Sequence, residues 1–169
     1  MWKVKKSKMH GSGLFATENI AKGVKIIEYV GEKVSKAEGD KRSENRIKKY
    51  LKSKETGSVY IFELNKKFDI DGSPMYNKAR YINHSCDPNC EVTINRGKIW
   101  IVSIKNIKIG NELSYDYGYE YDKDDYKDHI CKCGAKKCIG YIISSDDWSK
   151  FRKHQKGLKK SGRKRTNRR

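Results

Sequence analysis

The sequence predicts a mostly-β domain of the α+β class, and three observations predict it. Short runs rich in β-branched and aromatic residues recur between turn residues, one strongly charged stretch has helical spacing, and no internal repeat is present. Apolar residues make up 36% of 169, and a chain near this length buries about two-thirds of its unfolded surface, so a single core is expected.

Met1 to Lys8 is basic, with Trp2 and Val4 suited to start an edge strand. His10-Gly11-Ser12-Gly13-Leu14-Phe15-Ala16 follows. Its two glycines allow a tight turn and close approach of backbone to a ligand, although an ordinary turn has the same spelling. Val24 to Tyr29 reads as a strand and Gly31 as a turn. Ser35 to Lys54 is charged, with Ala37, Ile47, Tyr50 and Leu51 as a narrow apolar stripe, so a helix resting that stripe on a sheet is expected, weakened in its first half by Gly39. Ser58 to Leu64 and Phe68 to Asp71, separated by Asn65-Lys66-Lys67, predict an antiparallel pair. Val92 to Ile94 and Lys98 to Ile104, joined by Asn95-Arg96-Gly97, give the clearest hairpin. Ile109-Gly110-Asn111 then turns into Leu113-Ser114-Tyr115-Asp116-Tyr117.

Charge is unevenly spread. Eleven of the 39 Lys and Arg residues lie from Lys150 onward with no acid among them, leaving 28 basic against 21 acidic, a net of +7 out of the total +18, for the rest. In contrast, Glu112 to Asp128 holds seven acids (Glu112, Asp116, Glu120, Asp122, Asp124, Asp125 and Asp128) against Lys123 and Lys127, a local negative field. Gly157 to Arg169 is low-complexity and basic, without an apolar residue after Leu158, and is expected to be disordered when free. The segment reads as a nucleic-acid contact, as an import signal at Gly162-Arg163-Lys164-Arg165, or as a solubilising tail. No apolar run approaches the roughly 18 residues needed to span a bilayer. With an odd number of cysteines, five, a disulfide scaffold is disfavoured and an intracellular setting is expected.

Chemistry concentrates in Arg80-Tyr81-Ile82-Asn83-His84-Ser85-Cys86-Asp87-Pro88-Asn89-Cys90. Two cysteines, a histidine and two asparagines exceed what a connection needs, even allowing that Asn, Asp and Pro favour turns. Downstream, Cys131, Cys133 and Cys138 place three thiols within eight positions, one short of a tetrahedral set.

Taken with the glycine loop and the tyrosine segment, these motifs resemble the SET-domain protein lysine methyltransferases that carry a post-SET zinc motif, over about residues 1 to 143. The run Arg80 to Cys86 and the run Glu112 to Tyr117 are similar to the trithorax-like branch, with Tyr81 for the usual Phe and Ser114 for Thr. The resemblance implies a SET-domain β-clip of small antiparallel sheets with a C-terminal pseudoknot, a helical insert at about 35–54 and a zinc-bound post-SET segment. It divides the chain into a SET domain at 1–120, a post-SET segment at 121–143 and a basic tail at 144–169. It also implies S-adenosylmethionine as methyl donor, held by His10, Gly11, Ser12, Gly13, Leu14, Tyr60, Arg80, Asn83, His84 and Tyr117. Tyr117, Tyr115 and Tyr60 would be catalytic, and zinc would sit on Cys86, Cys131, Cys133 and Cys138, leaving Cys90 a free thiol. The insert would line a substrate groove, or stand as a solvated helix.

The implied reaction, attack of a lysine amine on a sulfonium methyl, needs a neutral amine. At pH 7.4 about one free lysine in a thousand is neutral, equivalent to roughly 4 kcal/mol. A positive sulfonium about 4 Å away at an effective dielectric of 20 contributes a similar repulsion, about 4 kcal/mol. A strong general base is therefore not required, which suits a site rich in tyrosine. Orientation in a narrow channel contributes roughly 7 to 11 kcal/mol more. A hydroxyl at Tyr115 would occupy room that added methyl groups need, so mono- and dimethylation are expected. The expected substrate is a lysine in a basic protein, histone or histone-like, drawn by the acidic run, with nuclear or chromatin residence in a eukaryotic or viral setting. Two rival readings are a methyltransferase of a ribosomal or other non-histone protein and a catalytically silent zinc-containing chromatin or DNA-binding module. With neither a pre-SET cysteine cluster nor a reader domain in it, the chain reads as a minimal catalytic unit.

Overall fold

The computed structural model describes residues 1–53 and 60–166. Ser58 and Val59 of the expected strand, Lys54 of the insert, the side chains of Tyr50 and Leu51, the side chains of 159–166 including the expected import signal at 162–165, and residues 167–169 of the tail lie outside what it describes. Among the described residues the fold is four small sheets and two helices. The first sheet pairs β1 (Trp2–Lys6) with β2 (Ser12–Ala16), so the glycine loop closes a hairpin. The strand expected at Val24 is β3 (Lys25–Tyr29), followed by β4 (Glu32–Ser35) and α1 (Lys36–Ser53). Next come β5 (Ile61–Glu63) and β6 (Phe68–Asp71), antiparallel as expected, with β4 on the far side of β6. After β7 (Asn83–His84), the predicted hairpin is β8 (Cys90–Asn95) and β9 (Lys98–Ser103). Its turn uses Arg96 and Gly97 at φ of 49° and 73°, the left-handed pair that matches the twist of the flanking strands. Strand β9 also pairs with β3.

The contact that positions the site is the parallel pairing of β7 with β10 (Ser114–Tyr115), in register Asn83 with Ser114 and His84 with Tyr115. It lays the tyrosine segment beside the Asn-His run. The backbone N–H of Ser85 extends it by donating to the Tyr115 carbonyl, and that of Ser114 donates to Asn89 Oδ1. The sheets close on one core that includes Leu14, Ile82, Ile99, Ile101, Ile107 and Leu113, all at most 2% exposed.

The two described members of the apolar stripe expected on α1 do not rest on a sheet. Ile47 is 47% exposed and Ala37 is exposed; ion pairs hold the helix instead. Arg42 meets Glu32 and buried Asp71, Arg46 meets Asp71, and Lys36 meets Glu63 and buried Asp69. Gly39 permits that approach, because a Cβ there would lie 2.4 Å from Asp69 Oδ2.

The C-terminal part has a smaller core of its own. Tyr126, Ile143 and Phe151 are buried together, with Tyr121, Ile139, Tyr141 and Trp148 packed around them. Phe151 and Trp148 belong to α2 (Trp148–Thr166). The stretch expected as a basic tail from 144 begins with docked helical turns, and the backbone stays helical to Thr166, into the part from Gly157 expected to be disordered when free. The physical reason is aromatic: Tyr121, Tyr126 and Tyr141 each lie 5.5–5.7 Å from the Phe151 ring, and Tyr121 is hydrogen-bonded to His154. No described helix is long and apolar enough to cross a membrane.

Candidate active site

Asn83 lies at the centre. Its side chain is buried, and Nδ2 donates to the carbonyls of Ser12 (3.0 Å) and His10 (3.3 Å) and to Glu112 Oε1 (2.7 Å). The glycine loop is thereby fixed against β7 through its backbone, which brings His10, Gly11, Ser12 and Gly13 next to Asn83. The side chain of Leu14 has no part in this; it is fully buried in the core, and only its backbone lies along the loop.

His84 is 5% exposed, wedged between two neighbours. The backbone N–H of Tyr117 donates to its Nδ1 (3.2 Å), and its Nε2 faces the sulfur of Cys86 at 3.7 Å. With Nδ1 accepting, the proton sits on Nε2, directed at the sulfur. Burial pulls the imidazole below its ordinary pKa, outweighing the opposite pull of Asp116. Both ring nitrogens thus have partners within the protein, and the ring ties the Tyr117 backbone to β7.

Tyr117 donates from its hydroxyl to the Ile82 carbonyl (3.1 Å), and burial holds its phenol well above the ordinary range. Its ring lies 5.0 Å from that of Tyr115 and 5.8 Å from that of Tyr119. Residues 115, 117 and 119 are two apart in sequence, and their rings stay in contact although Gly118 turns at φ 71°. Phe62, 5.9 Å from Tyr115 and 4.8 Å from Tyr29, continues the aromatic wall. Tyr29, Phe62 and Tyr119 were not singled out from the sequence. The alternation from 115 to 119 was the available signal for Tyr119; no local pattern marks the other two. Tyr115 is 7% exposed, and burial raises its phenol well above its ordinary pKa.

Tyr60 and Arg80 meet, the guanidinium lying 4.1 Å from the ring centre. The Tyr60 carbonyl accepts from Tyr29 Oη (3.0 Å) and from the Gly72 N–H (2.8 Å). Arg80 donates to the Ser73 carbonyl, and its Nε is buried without a partner among the described residues. Tyr60 and Arg80 therefore form a wall of the site.

Cys86, Cys131, Cys133 and Cys138 converge, with all four sulfurs within 4.8 Å of one another. The Cys86 sulfur lies 3.8 Å from that of Cys131 and 3.7 Å from that of Cys138, far too long for a disulfide. A tetrahedron with zinc–sulfur bonds of 2.3 Å has edges of about 3.8 Å, so the donor set fits a structural zinc ion. Burial pushes the Cys86 thiol up to about 12. Although burial opposes it, the N–H groups of Cys86 and Ala135 hold Cys133 down to about 7. Four thiols in such a space ionise together only with a cation among them. Cys90 lies apart, 1% exposed in the main core, its thiol toward Asn89 Oδ1.

Comparison with known proteins agrees with this geometry. A family model described as SET domain matches residues 11–118. The chain is 40% identical over 141 residues to a histone-lysine N-methyltransferase, H3 lysine-4 specific, of Saccharomyces cerevisiae, covering 81% of this chain and 13% of that protein. It is 38% identical over 140 residues to the protein of the same description in Schizosaccharomyces pombe (80% and 14%) and 38% over 146 residues to histone-lysine N-methyltransferase set-2 of Caenorhabditis elegans (84% and 9%). The chain thus spans between 9% and 14% of the length of these relatives.

Proposed function

Since the chain belongs to the SET-domain family, we propose that it is an S-adenosylmethionine-dependent protein-lysine N-methyltransferase acting on a histone or histone-like protein. The observation that carries this reading is the single assembly of the glycine loop, Asn83, His84 and Tyr117 around the β7–β10 pair. S-adenosylmethionine would supply an electrophilic methyl group. Asn83 and the backbone of His10 to Leu14 would bind its amino-acid end, with Tyr60 and Arg80 as the adjoining wall. The Tyr117 hydroxyl and the Ile82 carbonyl would orient the lysine amine, and the rings of Tyr115, Tyr119 and Phe62 would exclude water around its stem. No general base is assigned. His84 has both nitrogens occupied, so the amine proton leaves to solvent before transfer, and catalysis rests on aim and desolvation. Cys86, Cys131, Cys133 and Cys138 would hold zinc in a structural role, fastening the C-terminal core to β7.

The described relatives are histone H3 lysine-4 enzymes, and the acidic run from Glu112 to Asp128 suits a basic tail. Residence in chromatin follows from such a substrate. We propose mono- and dimethylation, because a hydroxyl at Tyr115 can hold a water where a further methyl would go. The basic C-terminal segment adds nucleic acid as a second proposed partner. The test is incubation with labelled S-adenosylmethionine and a panel of histones, archaeal-type chromosomal proteins and ribosomal proteins, followed by mass spectrometry. Label on a histone lysine with monomethyl and dimethyl products is expected. Label confined to ribosomal proteins favours the non-histone substrate, and no label on any protein refutes the enzyme.

A further inference from the structure

We infer that Glu112 is a positioning residue that sets which end of the Asn83 amide faces the methyl donor. The inference rests on the proposed cofactor pocket and goes beyond it, since Glu112 would touch no substrate. Its carboxylate is shared between two elements: Oε1 accepts from Asn83 Nδ2 at 2.7 Å, and Oε2 accepts from the Ser7 hydroxyl at 2.9 Å. Ser7, itself only 9% exposed, accepts from the N–H groups of Met9 (2.9 Å) and His10 (3.4 Å), so the start of the glycine loop hangs on the same carboxylate. Gly13 lies directly over it, where a Cβ would come within 2.2 Å of Oε1. The loop is glycine at that point because the carboxylate occupies the space a side chain would take.

All three groups facing Asn83 Nδ2 are pure acceptors: two carbonyls and a carboxylate oxygen. An amide nitrogen is the only end of Asn83 that satisfies them. Oδ1 is left with no donor among the described residues, so it is free to accept from an ammonium group, which brings only donors. A glutamine at 112 weakens this constraint, leaving only the Ser12 and His10 carbonyls to demand the nitrogen. Its own NH₂ group can donate to Asn83 Oδ1, turning the amide so that the ammonium meets another donor. Glu112 therefore selects for a ligand with a charged amino group by holding a residue that it does not share with the ligand.

The experiment titrates the full chain and its Glu112→Gln variant with two ligands, S-adenosylhomocysteine and 5′-methylthioadenosine, which has the nucleoside and thioether but no amino-acid end. In the wild type both bind. In Glu112→Gln, S-adenosylhomocysteine affinity is expected to fall at least about tenfold while methylthioadenosine affinity stays within about twofold; one lost donor–acceptor match of this kind is worth roughly that much. Equal weakening of both ligands, or of neither, overturns the positioning role. If Glu112→Gln fails to fold, Ser7→Ala frees one side of the carboxylate and is expected to give the same selective loss at about threefold, with the same two outcomes against it. A wild-type chain that binds neither ligand instead overturns the proposed function itself, which separates the two failures.

Discussion

Tyr117 is held at both ends: its backbone N–H is committed to His84 and its hydroxyl to Ile82. Removing only the hydroxyl therefore leaves the chain path intact. Tyr117→Phe is expected to cut kcat about 100-fold or more, as loss of one oriented polar group in a catalytic site does, with S-adenosylhomocysteine affinity changed less than about threefold. Single-turnover methylation and a binding titration on the same preparation check this, and near-normal turnover would remove Tyr117 from the reacting atoms. Much of this constellation was legible in the sequence, because Asn83-His84 and Tyr115-Asp116-Tyr117 are compact motifs whose members stay neighbours in space. What could not be read were the residues that reach the site from elsewhere. Glu112 partners a serine 105 positions away, and Tyr29 arrives through a sheet edge. Nor did spelling alone show that His84 directs its ring at Cys86 and the Tyr117 amide rather than into an open pocket.

Elements here are joined by two unlike fastenings. One is ionic: Asp71 is buried on β6, and although burial alone would raise its pKa, the hydrogen bonds from Arg42 and Ser73 lower it below the usual carboxylate value. A carboxyl depressed in the folded state contributes stability that is present above its unfolded pKa, about 3.9, and is lost as pH falls through the folded value. Asp71→Asn is expected to cost about 2 kcal/mol at neutral pH, below the roughly 3 to 5 kcal/mol of a fully buried pair because Arg42 and Arg46 keep part of their side chains in water. Below about pH 4 the gap should start to narrow, closing only once pH has fallen through the lower folded value; urea unfolding at pH 7 and pH 3 measures the narrowing, and an undiminished gap at the lower pH would exclude the pairing as its cause. This clamp also explains why the helical insert was legible in position but not in packing. Its few apolar residues suggested a stripe, whereas the buried acids that recruit Arg42 and Lys36 belong to strands 29 and 33 positions further on. The other fastening is the thiol cluster, the most direct link between Cys86 and the small C-terminal core. Structural zinc contributes roughly 10 to 16 kcal/mol in small motifs, as much as a whole domain's stability. Stripping zinc with a strong chelator is expected to abolish methyl transfer and shift Trp148 emission to the red, while far-UV circular dichroism keeps most of its β signal. Full activity in metal-free protein would refute the fastening.

At the scale of the molecule, two cores of unequal size share one basic helix. The sequence showed where the positive charge lies but not that its first turns are rigid, because the residues that order them, Tyr121, Tyr126 and Tyr141, come from the preceding segment. Docking through Phe151 and His154 fixes one face of α2, and Arg152, Lys153 and Lys156 are exposed around the rest of its first turns. Lys150 is paired with Asp147 and Arg152 lies over Trp148, so the helix start is braced by its own charges. A helix of 19 residues is roughly 28 Å long and about 10 Å across, dimensions that suit the major groove of duplex DNA and not the deep, narrow groove of A-form RNA. Among the described side chains of α2, Leu158 is the one large hydrophobic residue that is exposed, so charge dominates the described surface of the helix. Binding to a short DNA duplex is expected to weaken with salt at a slope of about −4 in log K against log salt, corresponding to four or five phosphates. Lys153→Ala with Lys156→Ala should flatten that slope by about 2 and leave methylation of a short free peptide within about twofold, since neither side chain lies at the proposed active site. A slope unmoved by the double substitution would mean that phosphate contacts lie elsewhere, and DNA affinity that survives removal of residues 157–169 together with it would reduce α2 to a solubilising element.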